Sequence, residues 1–171
     1  MTSPKNILLL MVLATAFAAC NNVPVVETER PMSDGLTENL INANRFISQS
    51  EETQIEAYAR RRGWQMNTLS CGARVMVVDE GRGNAVKPDE TLIISYRVEA
   101  INGTVIYNNV LDTVVAGRLQ PTRGLDAAIL TLRHGSHARV ILPSDEAYGV
   151  VGDGDRIGQR MVLVYDVRIE N

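Results

Sequence analysis

The chain has 171 residues, 45% of them hydrophobic, and a net charge of −3. That length gives one domain with appendages, and the mild acidity argues against nucleic acid as a partner. Aromatic residues make up only 5%, so each one beside an apolar hollow carries weight.

Lys5 precedes a short apolar run, Ile7–Ala19. A membrane-spanning helix needs about 20 residues, so the run reads as the core of a signal peptide over 1–19. Phe17-Ala18-Ala19-Cys20 is similar to a bacterial lipobox, with Phe17 where Leu is more usual. The expectation is a lipidated Cys20 that anchors the protein to a membrane of the cell envelope, facing the periplasm. Each buried CH2 of an acyl chain contributes about 0.8 kcal/mol to such anchoring. Ordinary secretory cleavage nearby is the alternative, and it leaves Cys20 incidental. Cys71 is the one other cysteine, so no cysteine cluster could bind zinc.

After Cys20, residues 20–34 are polar, contain Pro24 and Pro31, and read as a tether. A helical extension over 35–68 follows. Leu36, Leu40, Ile41 and Ile47 repeat at helical spacing, and Ser48-Gln49-Ser50 reads as an interruption with Ser50 capping a second helix. Ile55, Tyr58 and Ala59 form one apolar stripe of that second helix. Arg60-Arg61-Arg62 suit its last turn and Gly63 its stop. Trp64 is expected to hold the helical pair on the main domain. Two fates stay open for the pair: packing on that domain, or forming a homodimer.

From residue 70 to 171 the pattern is one of strands. Arg74–Asp79 is followed by the turn-rich Glu80–Asn84. Thr91–Glu99 alternates Leu92, Ile94, Tyr96 and Val98 on one face. Asn102-Gly103 predicts a two-residue hairpin turn into Thr104–Tyr107. Val114–Ala116 reads as a short separate strand. Gly124–Leu132 places Leu125, Ala128, Ile129 and Leu132 on one helical face. Ser136–Leu142 and Arg160–Ile169 are strands again. An antiparallel sheet with one central helix results, an α+β domain. His134 and His137 read as surface residues rather than a metal site, and Asp153-Gly154-Asp155 is too short for a calcium loop. No metal and no cofactor are expected.

Four stretches carry a family resemblance. They are Leu92–Ala100 with Asn102-Gly103, then Arg123-Gly124-Leu125-Asp126, then Leu132–Gly135 running to Pro143, and Ala147-Tyr148-Gly149 with Leu163–Val167. Their order resembles the FKBP-type peptidyl-prolyl cis-trans isomerases, and the extension is similar to that of lipoprotein members from Bacteroidetes. The resemblance implies a twisted sheet wrapped around the helix, with an apolar pocket between them. It implies an isomerase acting on proline-containing polypeptides, assisting the folding of exported proteins. The residues it assigns to catalysis are Tyr148, Tyr96, Leu125 and the backbone N–H of Thr122. It assigns the substrate-binding walls to Ile106, Tyr107, Val114, Ile157 and Tyr165. Well-known members carry Phe at the place of Ile106, Asp at Tyr107 and Trp at Leu125, so the aromatic lining here is reduced. That loss keeps a second reading open: a peptide- or partner-binding module with little isomerase activity.

Overall fold

The computed structural model describes residues 34–170. The expected signal peptide, Cys20 and nearly all of the tether lie outside these residues. The fold below is that of the unit Asn39–Asn171.

Helix α1 runs unbroken from Asp34 to Arg62. The expected interruption at Ser48-Gln49-Ser50 does not occur. Side-chain bonds within the helix absorb its polar residues: Thr53 donates to the Gln49 carbonyl, and Gln54 to the Ser50 hydroxyl. Packing then overrides the weak local preference, because Glu51, Ile55 and Tyr58 are all buried on one stripe. The helix ends at Gly63 (φ +66°), as expected. Gly63 N–H donates to the Arg60 carbonyl and Trp64 N–H to that of Ala59, the paired bonds of a Schellman stop.

Six strands form one sheet: β1 (Asn67–Thr68), β2 (Arg74–Asp79), β3 (Thr91–Ala100), β4 (Val105–Val115), β5 (His137–Leu142) and β6 (Leu163–Ile169). Their spatial order is β1-β2-β5-β6-β3-β4, and every neighbouring pair is antiparallel. Strand β1 was not expected; it is two residues long, too short for an alternating pattern to show. Strand β4 is continuous, where a short strand, a gap and a second short strand were expected. Register shifts between Tyr96 and Glu99 let it follow β3 throughout. Four residues, 101–104, separate β3 from β4 where a two-residue turn was expected: Ala100 N–H donates to the Thr104 carbonyl, and Gly103 alone among them takes a positive φ (+90°). Strand β6 begins at Leu163, later than expected.

The sheet is covered on one face and in part on the other. Helix α2 (Arg123–Ile129) lies on one face, with Leu125, Ala128 and Ile129 fully enclosed among Ile94, Val98, Val140, Tyr165 and Val167. On the other face Ile55 and Tyr58 of α1 meet Ile141, Val162 and Val164. Trp64 joins this second layer edge-on to Tyr58, their ring centroids 5.6 Å apart. The period-two pattern of β6 produces both layers, sending Leu163, Tyr165 and Val167 inward and Val164 outward. His137 lies on this outer side, buried rather than exposed as expected, with Nε2 2.7 Å from Asp166 Oδ1.

Candidate active site

The expected site residues other than Thr122 belong to the domain's main apolar core, contributed by strands β3, β4 and β6, helix α2 and the loop after β5. Ile106, Val114, Leu125, Ile157 and Tyr165 lie in its interior, and Tyr96, Tyr107 and Tyr148 pack against it half-buried. The rings of Tyr96 and Tyr165 lie 5.7 Å apart and tilted by 54°. Burial pushes the Tyr148 phenol up, partly offset by its contact with the Tyr165 hydroxyl. Burial raises Tyr165 far more, and brings Tyr96 up to about 12 with help from Asp112. These three phenols are therefore neutral hydrogen-bonding groups at any physiological pH.

Thr122 caps α2. Its hydroxyl accepts from the Leu125 N–H at 3.3 Å, and its own N–H donates to no acceptor among the described residues. Asp126 holds the preceding loop: its carboxylate, 2% exposed, accepts from Gly117 N–H at 2.8 Å and Leu119 N–H at 2.9 Å. Sequence reasoning gave Asp126 no role beyond its place in the helix opening. The signal was an acid one turn into a helix that follows a glycine-containing loop.

Where the resemblance implies an acid there is Tyr107, and a carboxylate reaches it from elsewhere. Its hydroxyl donates to Asp153 Oδ2 at 2.5 Å and lies 3.3 Å from Asp155 Oδ2. The other oxygen of Asp153 accepts from the N–H groups of Asp155 and Ile157, at 2.9 and 2.8 Å. Arg156 lies over the Tyr107 ring and donates to the Ile106 carbonyl. The loop that carries Ile157 is thus fastened to β4 by side chains. The Asp153-Gly154-Asp155 stretch serves here as a turn anchor.

The hollow expected between sheet and helix is closed in this structure. Leu125 is 0% exposed and Tyr165 1%, and Val114, Ile157 and Thr122 are buried too. Ile106, Val114, Leu125 and Ile157 are aliphatic, and apolar walls of that size close on one another. An empty gap would forfeit their dispersion contacts.

A family model described as FKBP-type peptidyl-prolyl cis-trans isomerase matches residues 82–170, just over half of the chain. The probable FKBP-type peptidyl-prolyl cis-trans isomerase FkpA of Neisseria meningitidis serogroup B is 27% identical over 106 residues, 61% of this chain and 39% of that protein. FkpA of Escherichia coli K12 is 28% identical over 123 residues, 67% of this chain and 42% of that one. The chain thus spans about two fifths of the length of these curated relatives. A peptidyl-prolyl cis-trans isomerase from Pseudomonas syringae pv. tomato superposes with a TM-score of 0.62 at 20% identity, over 74% of this chain and 93% of that one. The structure of AtFKBP13 does so at 0.56 and 19%, over 61% and 96%. Those two likenesses speak to fold. The fold and the sequence match together make the chain a member of the FKBP-type peptidyl-prolyl cis-trans isomerase family.

Proposed function

We propose that this protein is a lipid-anchored prolyl isomerase of the cell envelope that acts on proline-containing segments of exported polypeptides. The observation that carries the reading is that Tyr96 and Tyr148 pack half-buried against the core that holds Tyr165 and Leu125, while the Thr122 N–H at the start of α2 has no acceptor among the described residues. The reaction needs neither nucleophile nor metal. Amide resonance sets a barrier near 20 kcal/mol, and an uncatalysed X–Pro bond turns in about 10–100 s. A twisted amide has lost that resonance and its charge separation, so a dry apolar enclosure favours it over either planar form. Each tenfold in rate requires about 1.4 kcal/mol of such preference. In this reading Leu125 is the floor under the prolyl ring, with Ile106, Val114, Ile157 and Tyr165 around it. Tyr148 and the Thr122 N–H donate to substrate carbonyls, and Tyr107 keeps the Ile157 loop in place. Admission of the ring requires the closed floor at Leu125 to open.

That closed floor is also the observation that favours a second reading, a peptide- or partner-binding module with little turnover. A refolding assay limited by proline isomerisation separates the two. Acceleration that falls in Tyr148→Phe supports the isomerase; unchanged kinetics with measurable peptide binding supports the module. The anchor rests on the apolar leader and Cys20. Mass analysis of the mature N-terminus, comparing the wild type with Cys20→Ala, tests it: an acylated Cys20 supports the anchor, and an unmodified or absent Cys20 removes it. The exposed Leu40, Ile41 and Phe46 of α1 leave the homodimer a candidate for sedimentation.

A further inference from the structure

The turn after β5 is gripped from two sides. Ser144 is 1% exposed, and both its donors go to α1: its N–H reaches Glu51 Oε2 at 2.9 Å and its hydroxyl Glu51 Oε1 at 2.6 Å. Glu51 is itself only 7% exposed. From the opposite side Arg123, the first residue of α2, donates to both oxygens of Glu146, at 2.8 and 2.5 Å. The contact is tight, since a Cβ at Gly124 would come within 3.0 Å of both Leu142 and Glu146.

This turn delivers Tyr148. The Ser144 carbonyl accepts from the N–H groups of Ala147 and Gly149, at 3.1 and 2.9 Å. The residues on either side of Tyr148 therefore hang from Ser144, the residue that Glu51 holds. A short turn does not need a buried carboxylate as its partner; enclosing one is unfavourable unless its hydrogen bonds are nearly all made. What the arrangement supplies is a hydrogen-bonded link from α1 to the backbone on either side of Tyr148.

We infer that Glu51 is a positioning residue for Tyr148, so that the helical extension takes part in the prolyl site although it lies on the other face of the sheet. This rests on the isomerase reading above. Displacing a substrate-orienting hydroxyl by a fraction of an ångström weakens catalysis far more than it weakens folding.

A double-mutant cycle on the purified protein tests the link. In proline-limited refolding, Glu51→Ala is expected to lower kcat/KM by about tenfold. Glu51→Gln, which keeps an acceptor for the Ser144 N–H, is expected to restore most of it. In a Tyr148→Phe background Glu51→Ala should cost no more than about twofold, because the group it positions is gone. Full activity in Glu51→Ala, or the same loss with and without the Tyr148 hydroxyl, overturns the inference. Should Glu51→Ala fail to fold, Ser144→Ala completes the same cycle. If the wild type shows no isomerase activity, the parent reading fails by itself, and amide exchange then reads the link. Faster exchange at Ala147 and Gly149 in Glu51→Ala, with the α2 amides unchanged, supports it; unchanged exchange at both sites overturns it.

Discussion

Tyr107 and Asp153 meet across 2.5 Å, the phenol donating to Oδ2 from β4 to a loop that follows Tyr148. The hydrogen bond to Asp153 is the main reason the Tyr107 phenol is pushed up to about 12. Burial works to raise the Asp153 carboxyl, but the Tyr107 hydroxyl and three backbone N–H groups outweigh it and hold the group below its usual range. Tyr107→Phe removes the one bond and leaves the ring. The expected result is faster amide exchange at Asp155 and Ile157 and a lower melting temperature, with the sheet amides unchanged.

The same pair gives stability an acid limit. A carboxyl whose folded pKa is depressed contributes fully above its ordinary value of about 3.9. That contribution is lost as pH falls through the lower folded value. In Tyr107→Phe the depression shrinks, so the difference in melting temperature between wild type and variant should narrow as pH drops below about 4. A constant difference down to pH 2 would speak against the pairing.

All five tyrosines (Tyr58, Tyr96, Tyr107, Tyr148 and Tyr165) have phenols raised above the ordinary value. Burial is the largest cause for every one except Tyr107. A raised phenol adds stability that is complete below about pH 10 and is lost as pH climbs through the folded value. Absorbance titration of the native protein near 295 nm should therefore lag free tyrosine throughout, and should return to a midpoint near 10 in denaturant. A native fraction ionising at the ordinary value would place one of these rings in water.

Asp126 holds two N–H groups of the loop that leads to Thr122. Asp126→Ala strands both, and a bond to a charged group contributes about 1.5–3 kcal/mol. Denaturant melts should show a loss of at least this size, with Asp126→Asn intermediate.

Leu125 is wholly enclosed, which makes the floor of the site part of the core. Leu125→Ala is expected to cost about 2–5 kcal/mol of stability in equilibrium unfolding. A cost below about 1 kcal/mol would mean that the floor is open in solution.

Much of this is legible in the sequence because it depends on short-range periodicity. The alternation in β3 and β6 fixes which side chains face α2, and the apolar spacing of Leu125, Ala128 and Ile129 fixes the face of α2 that is buried. Tyr96, Leu125 and Tyr165 lie in one apolar core because those faces converge. What stays hidden is set by partners distant in the chain. Ser50 reads as a cap until the stripe of Glu51, Ile55 and Tyr58 is seen against the sheet. Tyr107 reads as a lost acid until Asp153 arrives from another loop. Glu51 reads as a helix-start residue, and no local pattern points to Ser144. The closure of the hollow depends on summed side-chain volume, which no single motif carries.

The central claim is that a prolyl ring can seat on Leu125 among Tyr96, Tyr148 and Tyr165. Two-dimensional exchange spectroscopy on an X–Pro peptide with a small amount of protein tests it directly, with the Leu125 methyl signals followed in the same samples. Catalysed cis–trans cross-peaks, accompanied by shifts of the Leu125 methyls, are the predicted result. An exchange rate equal to that of the free peptide, with the Leu125 signals unmoved at saturating peptide, would contradict the account.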